Sequence, residues 1–412
     1  MPAYKLHKGG GKISSFLYRV RRELETNPHL PHLLALEWAT GLAVGVGTFL
    51  VFVRTLCPTV YPSEGAELVA AATTLGIPRP TGYPLYLLIG CLLSRLFPDA
   101  NPAYVMNLFS AAAASAASVV LYALLRSMVG SRIVAAVGAV SLALSLSLWS
   151  QATISGVYAL NALFCLLCLY YTFAWYRCRE DRFIARVALV AGFGLAVHAL
   201  IVVNVVVMGA LMAMTYRRPL LELPRLARLL SRGLVGLSLY AYLPIRSAAH
   251  PALDRGSIST LGEFFGYLFG SGYWERSYVE NLSDVWRILA HYVKTIPAEL
   301  TWLGAALVVV GIVTMASRDR RLLVACLLCF GANLGLMVFH GGQNDVLHWS
   351  HYLIPGYIGL IILASYGLQY LCAMLRSRPA MYAAAAVLPI LAFLSHYHLA
   401  DKSRNFVAHD YA

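Results

Sequence analysis

Apolar residues run for the length of a membrane-crossing helix, about 20 residues, or close to it, at 32–56, 103–126, 133–149, 158–176, 229–245, 299–317, 322–339, 352–375 and 380–397. The pattern predicts a bundle of membrane helices. Two stretches fit this scheme less simply. Residues 84–97 are apolar but short and carry Arg95, which suits a helix lying in the interface. Residues 187–216 are long enough for one tilted span or a tight hairpin of two.

Charge separates the alternatives. If 84–97 stays on one side and 187–216 crosses twice, the arginine clusters at 126/132, 177–186, 217–232, 318–321 and 376/378 all join the basic N-terminus. That places 22 of the 32 Lys and Arg on one side and 10 on the other. Cytoplasmic flanks collect basic residues, so the expected topology is eleven spans, N-terminus cytoplasmic and C-terminus outside. Two long connections, 57–102 and 246–298, then face outward and carry interfacial helices. The domain reading is a basic cytoplasmic tail (1–31), a polytopic membrane domain (32–397) and a short extracytoplasmic tail (398–412) in the inner (plasma) membrane.

Composition agrees with that solvent. Of the 412 residues 59% are hydrophobic and 12% charged, against 45–50% and about 25% in globular chains, and mean hydropathy is +0.67. A net charge of +13 could suggest nucleic acid, but the basic residues lie between apolar runs, which makes the bilayer the partner. Two CxxC pairs, 165/168 and 326/329, are surrounded by Leu, Phe and Ala and read as core filler. The segment His340 to His351 holds three histidines and Asp345; it reads as a wet loop, a transition-metal site being the alternative. The aromatic stretch 267–278, with Glu275 and Arg276, suits either a sugar-binding surface or the membrane interface.

The first outer connection carries the best candidate chemistry. Glu64 and Glu67, three apart, lie on one face of a helix start, where they would cap it or serve a site. The following GIPRPTGYPLY holds Arg79 and Tyr83 in a proline-rich turn beside them, and such rigidity is what a preorganised site needs. Arg246 ends LPIR at the outer end of a span, as an interfacial anchor or a phosphate fork. His198 interrupts the 187–216 hairpin, a functional suspect or a helix-to-helix hydrogen bond. Glu37, near an inner end, is the one acid read within a span, whereas a proton-coupled transporter needs buried acids there.

The blocks TVYPSEGAELVAAATTLGIPRPTGYPLYLLIG, NLFSAAAASAASVVLYALL, WSQATISGVYALNALF, LYAYLPIRSAAHPALDRGSIS and ADKSRNFVAHDYA resemble, in order, a large and mostly bacterial family of multi-spanning proteins. That family includes the vertebrate transmembrane protein that O-mannosylates plexin-type receptor domains, and its architecture is similar to the C-type, lipid-linked-sugar glycosyltransferases. The resemblance implies an all-α membrane fold and transfer of a hexose, mannose by implication, from a polyprenyl-phosphate carrier to a protein hydroxyl or glycan on the extracytoplasmic face. It implies no cofactor and no divalent metal.

The same resemblance implies a catalytic role for Glu64 or Glu67 and substrate binding by Arg79, Tyr83, Trp149, Gln151, Tyr158, Asn161, His198, Arg246 and Arg255. The chain departs from the family pattern at four of its positions: Glu64 stands for Asp, Arg79 for His, Gly156 for a carboxylate and Arg255 for Trp. One acid fewer and two arginines more imply a more anionic substrate or decayed catalysis. The alternative class is a transporter or flippase of lipid-linked precursors. Many members continue past the block ending at Ala412, so acceptor recognition is expected in another protein or a further segment.

Overall fold

The computed structural model describes residues 30–216, 222–271, 279–340, 350–375 and 377–407. In chain order the helices are α1 (Leu30–Arg54), α2 (Glu64–Thr74), α3 (Pro84–Leu96), α4 (Pro102–Val129), α5 (Arg132–Ala143), α6 (Leu146–Ala152), α7 (Val157–Cys178) and α8 (Asp181–Leu195). They continue as α9 (Val202–Thr215), α10 (Leu223–Leu237), α11 (Tyr242–Ser247), α12 (Leu261–Phe269), α13 (Leu282–Arg318), α14 (Arg320–His340), α15 (Ile354–Met374) and α16 (Arg378–Ala400). The fold is all-α, as expected. Among the described residues the one β-type contact is a parallel bridge between Ile77 and Asp254.

Seven helices are long and apolar enough to cross a membrane, and the pair α5–α6, bent by 66° at its break, makes an eighth. Burial separates centre from rim: 67% of the α15 span and 61% of α4 and α7 are buried, against 22% of α1 and α16. The chain is a multi-pass membrane protein whose central helices pack on protein and whose rim shows Leu and Val outward.

The expected hairpin at 187–216 is present in outline, with its first arm beginning earlier, at Asp181. Asp181 pairs with Arg225 at 2.9 Å, while the Leu195 carbonyl accepts from the Tyr240 hydroxyl at 2.7 Å. Helices α8 and α10 therefore run parallel and in direct contact, with α9 as the returning segment in the chain. Glycine permits their close approach: a Cβ on Gly192 would lie 2.2 Å from the Gly233 carbonyl oxygen. All three are short, 14 or 15 residues, roughly 22 Å at 1.5 Å per residue, and none counts as a span by length and composition. Against the eleven spans expected, seven or eight qualify by that measure.

The ends of the bundle are tied differently. At the end bearing the basic clusters, Arg126 and Tyr122 hold Glu37, and the Tyr176 hydroxyl donates to Asp319. At the opposite end, backbone links join distant segments: the Cys57 amide donates to Thr153, the Lys402 amide to Thr55, and the Leu85 amide to Ala196. The last contact ties the start of α3 to the turn that follows α8.

The second long connection is shorter than expected, because α13 begins at Leu282 and runs to Arg318, kinked at Thr301, where φ is +64°. This corrects the reading of Glu37 as the one acid within a span. Glu299 lies inside α13 with 2% of its surface exposed, and its carboxylate accepts from the Ser147 amide at 2.8 Å and the Ser147 hydroxyl at 2.5 Å. It caps α6, where the break in α5–α6 leaves backbone N–H groups without intrahelical partners.

Candidate active site

The opposite end holds the cluster of charge that the sequence pointed to. Ser63 caps α2 by accepting from the Gly65 amide, and this places Glu64 and Glu67 in the first turn, side by side. After α2 the chain passes through Leu75 in the left-handed region (φ +51°) and Gly76. A Cβ on Gly76 would stand 2.6 Å from the Leu253 carbonyl oxygen, so glycine here lets the second outer connection approach. The Ile77 amide then donates to Leu253 at 2.7 Å and the Arg255 amide to Ile77 at 3.0 Å. That pairing carries Arg255 to the carboxylates. Tyr242 donates to the Gly76 carbonyl at 2.8 Å and Tyr267 to that of Pro78, fixing the turn against α11 and α12.

Four side chains converge. Arg79 Nη1 lies 2.8 Å from Glu64 Oε1, and its Nε and Nη2 each lie 3.0 Å from Glu67 Oε2. Glu67 Oε1 accepts from the Arg79 amide at 3.0 Å and meets Arg255 Nε at 2.7 Å. Both oxygens of Glu67 are thus engaged by arginine. Glu64 Oε2 faces the Tyr158 hydroxyl at 3.4 Å. The Arg255 side chain is 59% exposed and that of Arg79 36%, against 19% for Glu64 and 11% for Glu67, so the cations form the open rim and the acids the floor.

An aromatic wall stands behind Glu64. Tyr83 stacks on His198 with centroids 5.7 Å apart and planes within 4°, and Tyr158 contacts His198, His351 and Tyr352 at 5.2, 4.3 and 5.4 Å. His198 Nδ1 accepts from the Leu200 amide, which places the ring at the turn between α8 and α9, level with the carboxylates and not mid-membrane. Burial between tyrosines pushes its pKa down to about 4, so at neutral pH it is an uncharged stacking surface.

The other expected site residues fall elsewhere. Arg246 donates from Nε to the Leu75 carbonyl at 2.8 Å and from Nη2 to that of Thr74 at 3.4 Å. It caps the far end of α2, roughly 15 Å along the axis from Glu64 at 1.5 Å per residue. Trp149 is buried, donates to Thr55 Oγ1 at 2.9 Å and packs on Phe393 and Tyr397. Gln151 is buried, its Oε1 3.1 Å from where a Gly156 Cβ would stand. Asn161 is buried one turn along α7 from Tyr158, and its Oδ1 has no hydrogen-bond partner among the described residues.

Sequence reasoning missed Tyr352 and the placement of His351. The segment 341–349, with Asp345 and His348, lies outside the described residues, as does 272–278 with Tyr273, Trp274, Glu275 and Arg276. His351 itself leaves that loop and packs under Tyr158. No group of three or more His, Cys, Asp or Glu able to hold a metal occurs among the described residues.

Comparison with known proteins agrees with the resemblance read from the sequence blocks. Residues 64–221 match the family model described as the protein O-mannosyl-transferase TMEM260 N-terminal domain. The mouse (Mus musculus) protein O-mannosyl-transferase TMEM260 is 28% identical over 298 residues, covering 69% of this chain and 42% of its own length. The Dictyostelium discoideum protein of that name is 23% identical over 291 residues, covering 65% and 35%. The chain therefore spans about two fifths of the length of the curated relatives it matches. The crystal structure of ArnT from Cupriavidus metallidurans, bound to undecaprenyl phosphate, superposes with a TM-score of 0.54 at 14% identity, covering 86% of this chain and 62% of that one. The chain shares its fold with that structure.

Proposed function

We propose that the chain is a membrane glycosyltransferase moving a hexose, mannose in the first instance, from a polyprenyl-phosphate carrier to a hydroxyl of a protein or glycan on the extracytoplasmic face. One observation carries this reading: a part-buried carboxylate, Glu64, stands in one cluster with Arg79 and the exposed Arg255 at the end of the bundle opposite the basic clusters. That is the pairing an acid–base transfer from a phosphate leaving group needs. The similarity to proteins named O-mannosyl-transferases, and to a fold solved with a polyprenyl phosphate, supports the substrate class.

In the proposed step Glu64 accepts the acceptor's hydroxyl proton as that oxygen bonds to the sugar's anomeric carbon. The bond from that carbon to the phosphate oxygen breaks with its electron pair, and the polyprenyl phosphate leaves. Attack from the face opposite the phosphate inverts the centre. Charge developing on the phosphate is met by preorganised cations, and the geometry favours Arg79 with Arg255 for this, Arg246 being spent on α2. Because the phosphate leaves on its lipid as a stable anion, the proposed reaction requires no nucleotide and no metal carried by one. Glu67, both oxygens held by arginines, is the post that keeps them in place.

A transporter would need a buried acid to titrate, and Glu299 is one. Its carboxylate is committed to Ser147, which favours a structural role and the transferase reading.

The test is incubation of the purified protein with radiolabelled polyprenyl-phosphate mannose and a membrane extract. Label is expected in a protein or glycan fraction; movement of intact donor across vesicles without such label would favour the transporter. Orientation has its own check with an impermeant thiol reagent. A cysteine at exposed Asp99 is expected to react from outside and one at Arg182 is not; the reverse would place the site on the cytoplasmic face.

A further inference from the structure

We propose that Arg79 is a transferable clamp, which masks Glu64 until the phosphate of a lipid-linked donor draws its guanidinium away. This rests on the transferase reading and adds to it an order of events that the family pattern does not contain, since the arginine itself is one of this chain's departures from that pattern.

The geometry points this way in three respects. First, Arg79 spans both carboxylates: Nη1 reaches Glu64 Oε1, while Nε and Nη2 reach Glu67 Oε2. A carboxylate that accepts from a guanidinium is held in its charged form and is a poor acceptor for a further proton. The base proposed for the reaction is thus occupied by a cation proposed to bind its leaving group. Second, the clamp can let go without disturbing its mount. The Arg79 backbone is fixed by its N–H donating to Glu67 Oε1 and by the Gly82 N–H donating to its carbonyl, so a side-chain rotation suffices. Glu67 keeps Arg255 at 2.7 Å when that happens, and Glu64 keeps the Tyr158 hydroxyl on its other oxygen. Third, the competition favours phosphate. With its side chain 36% exposed, Arg79 makes an ion pair that water screens, whereas guanidinium and phosphate match as a two-pronged, charge-assisted pair.

When a donor phosphate enters, Arg79 is the cation that turns to it, and its departure frees a lone pair of Glu64 for the acceptor. The donor then binds first, and the base becomes competent only in its presence.

The experiment uses the full chain in lipid nanodiscs and undecaprenyl phosphate, which carries no sugar and leaves the acceptor side open. Carboxyl groups are modified with a water-soluble carbodiimide and an amine, and Glu64 modification is read by peptide mass spectrometry, with lipid binding measured separately by retained radiolabel. Undecaprenyl phosphate is expected to raise Glu64 modification several-fold. R79Q should show the raised level without lipid, and R255Q should remain protected, because Arg79 is still in place. Where R79Q does not fold, the parent with and without lipid decides. Bound undecaprenyl phosphate with unchanged Glu64 modification overturns the clamp and leaves the transferase reading standing; absence of binding overturns both. Inorganic phosphate at equal concentration is expected to have no effect, and an equal effect would overturn the assignment to a lipid-borne phosphate.

Discussion

Two regions of this protein hold carboxylates among packed helices, and they treat them in opposite ways. At the break between α5 and α6, Glu299 is 2% exposed and both oxygens meet neutral donors of one residue, Ser147. His396 faces the Leu144 carbonyl at 2.7 Å on the other side of the same break. This is a closed arrangement in which a buried acid completes a helix terminus. At the end of the bundle, Glu64 and Glu67 are partly open to solvent and bound by cations that are more open still. On the proposed reading the partners of Glu64 are exchanged for those of a substrate, while those of Glu299 cannot be lost without exposing unpaired backbone donors. Openness with exchangeable charge marks chemistry; closure with neutral donors marks scaffold.

Substitution should therefore separate rate from stability. Removing a general base typically lowers rate by about 10²–10⁴-fold, so E64Q is expected to lose transfer by that factor and to melt as the parent does. E299Q is expected to lose about 1–3 kcal/mol of stability, the usual cost of an unsatisfied buried group, with transfer per folded molecule within a few-fold of the parent. Thermal unfolding and single-turnover transfer on the same preparations measure both; loss of transfer in E299Q without loss of stability would put Glu299 in the chemistry.

The next contrast lies between the arginines. Charge-assisted contacts contribute about 1.5–3 kcal/mol, so R255Q is expected to weaken donor binding roughly 10- to 100-fold at 1.4 kcal/mol per decade. R246Q should leave donor affinity nearly unchanged and cost about 1 kcal/mol through the lost cap on α2. Equilibrium binding of polyprenyl phosphate decides, and equal effects would restore Arg246 to the phosphate site.

The sequence made much of this legible. Apolar run length and the parity of arginine clusters pointed to the α8–α9 hairpin, because each depends on residues adjacent in the chain. The cluster of Glu64, Glu67, Arg79 and Tyr158 was legible through blocks of resemblance. Arg246 was misplaced because its cap on Leu75 is made with a segment 171 positions away, and nothing in LPIR specifies that partner. Glu299 was passed over because an acid at the edge of an apolar run looks like an outer-face charge until α13 is seen to continue through it. His351 lay in a polar loop by composition, and only tertiary packing brings it beneath Tyr158.

A smaller effect should distinguish the aromatic wall from the charged floor. His198 is held at about 4 against an ordinary 6.5 by desolvation. The unfolded chain therefore binds a proton that the folded one does not as pH falls from 6.5 towards 4. The stability carried by the neutral ring is complete above 6.5 and is lost through that window. H198F should flatten this acid limb of melting temperature against pH; identical limbs in parent and variant would show that the ring titrates freely.

The most direct test sets the two glutamates against each other, by measuring donor affinity and single-turnover transfer of mannose from polyprenyl-phosphate mannose in the parent, E64Q and E67Q. The account predicts that E64Q binds donor and fails to transfer, whereas E67Q binds donor weakly, its arginines having lost their post, and transfers what it binds. If E64Q transfers at the parent rate while E67Q binds donor normally and is inactive, the base is Glu67 and the reading of this site is wrong.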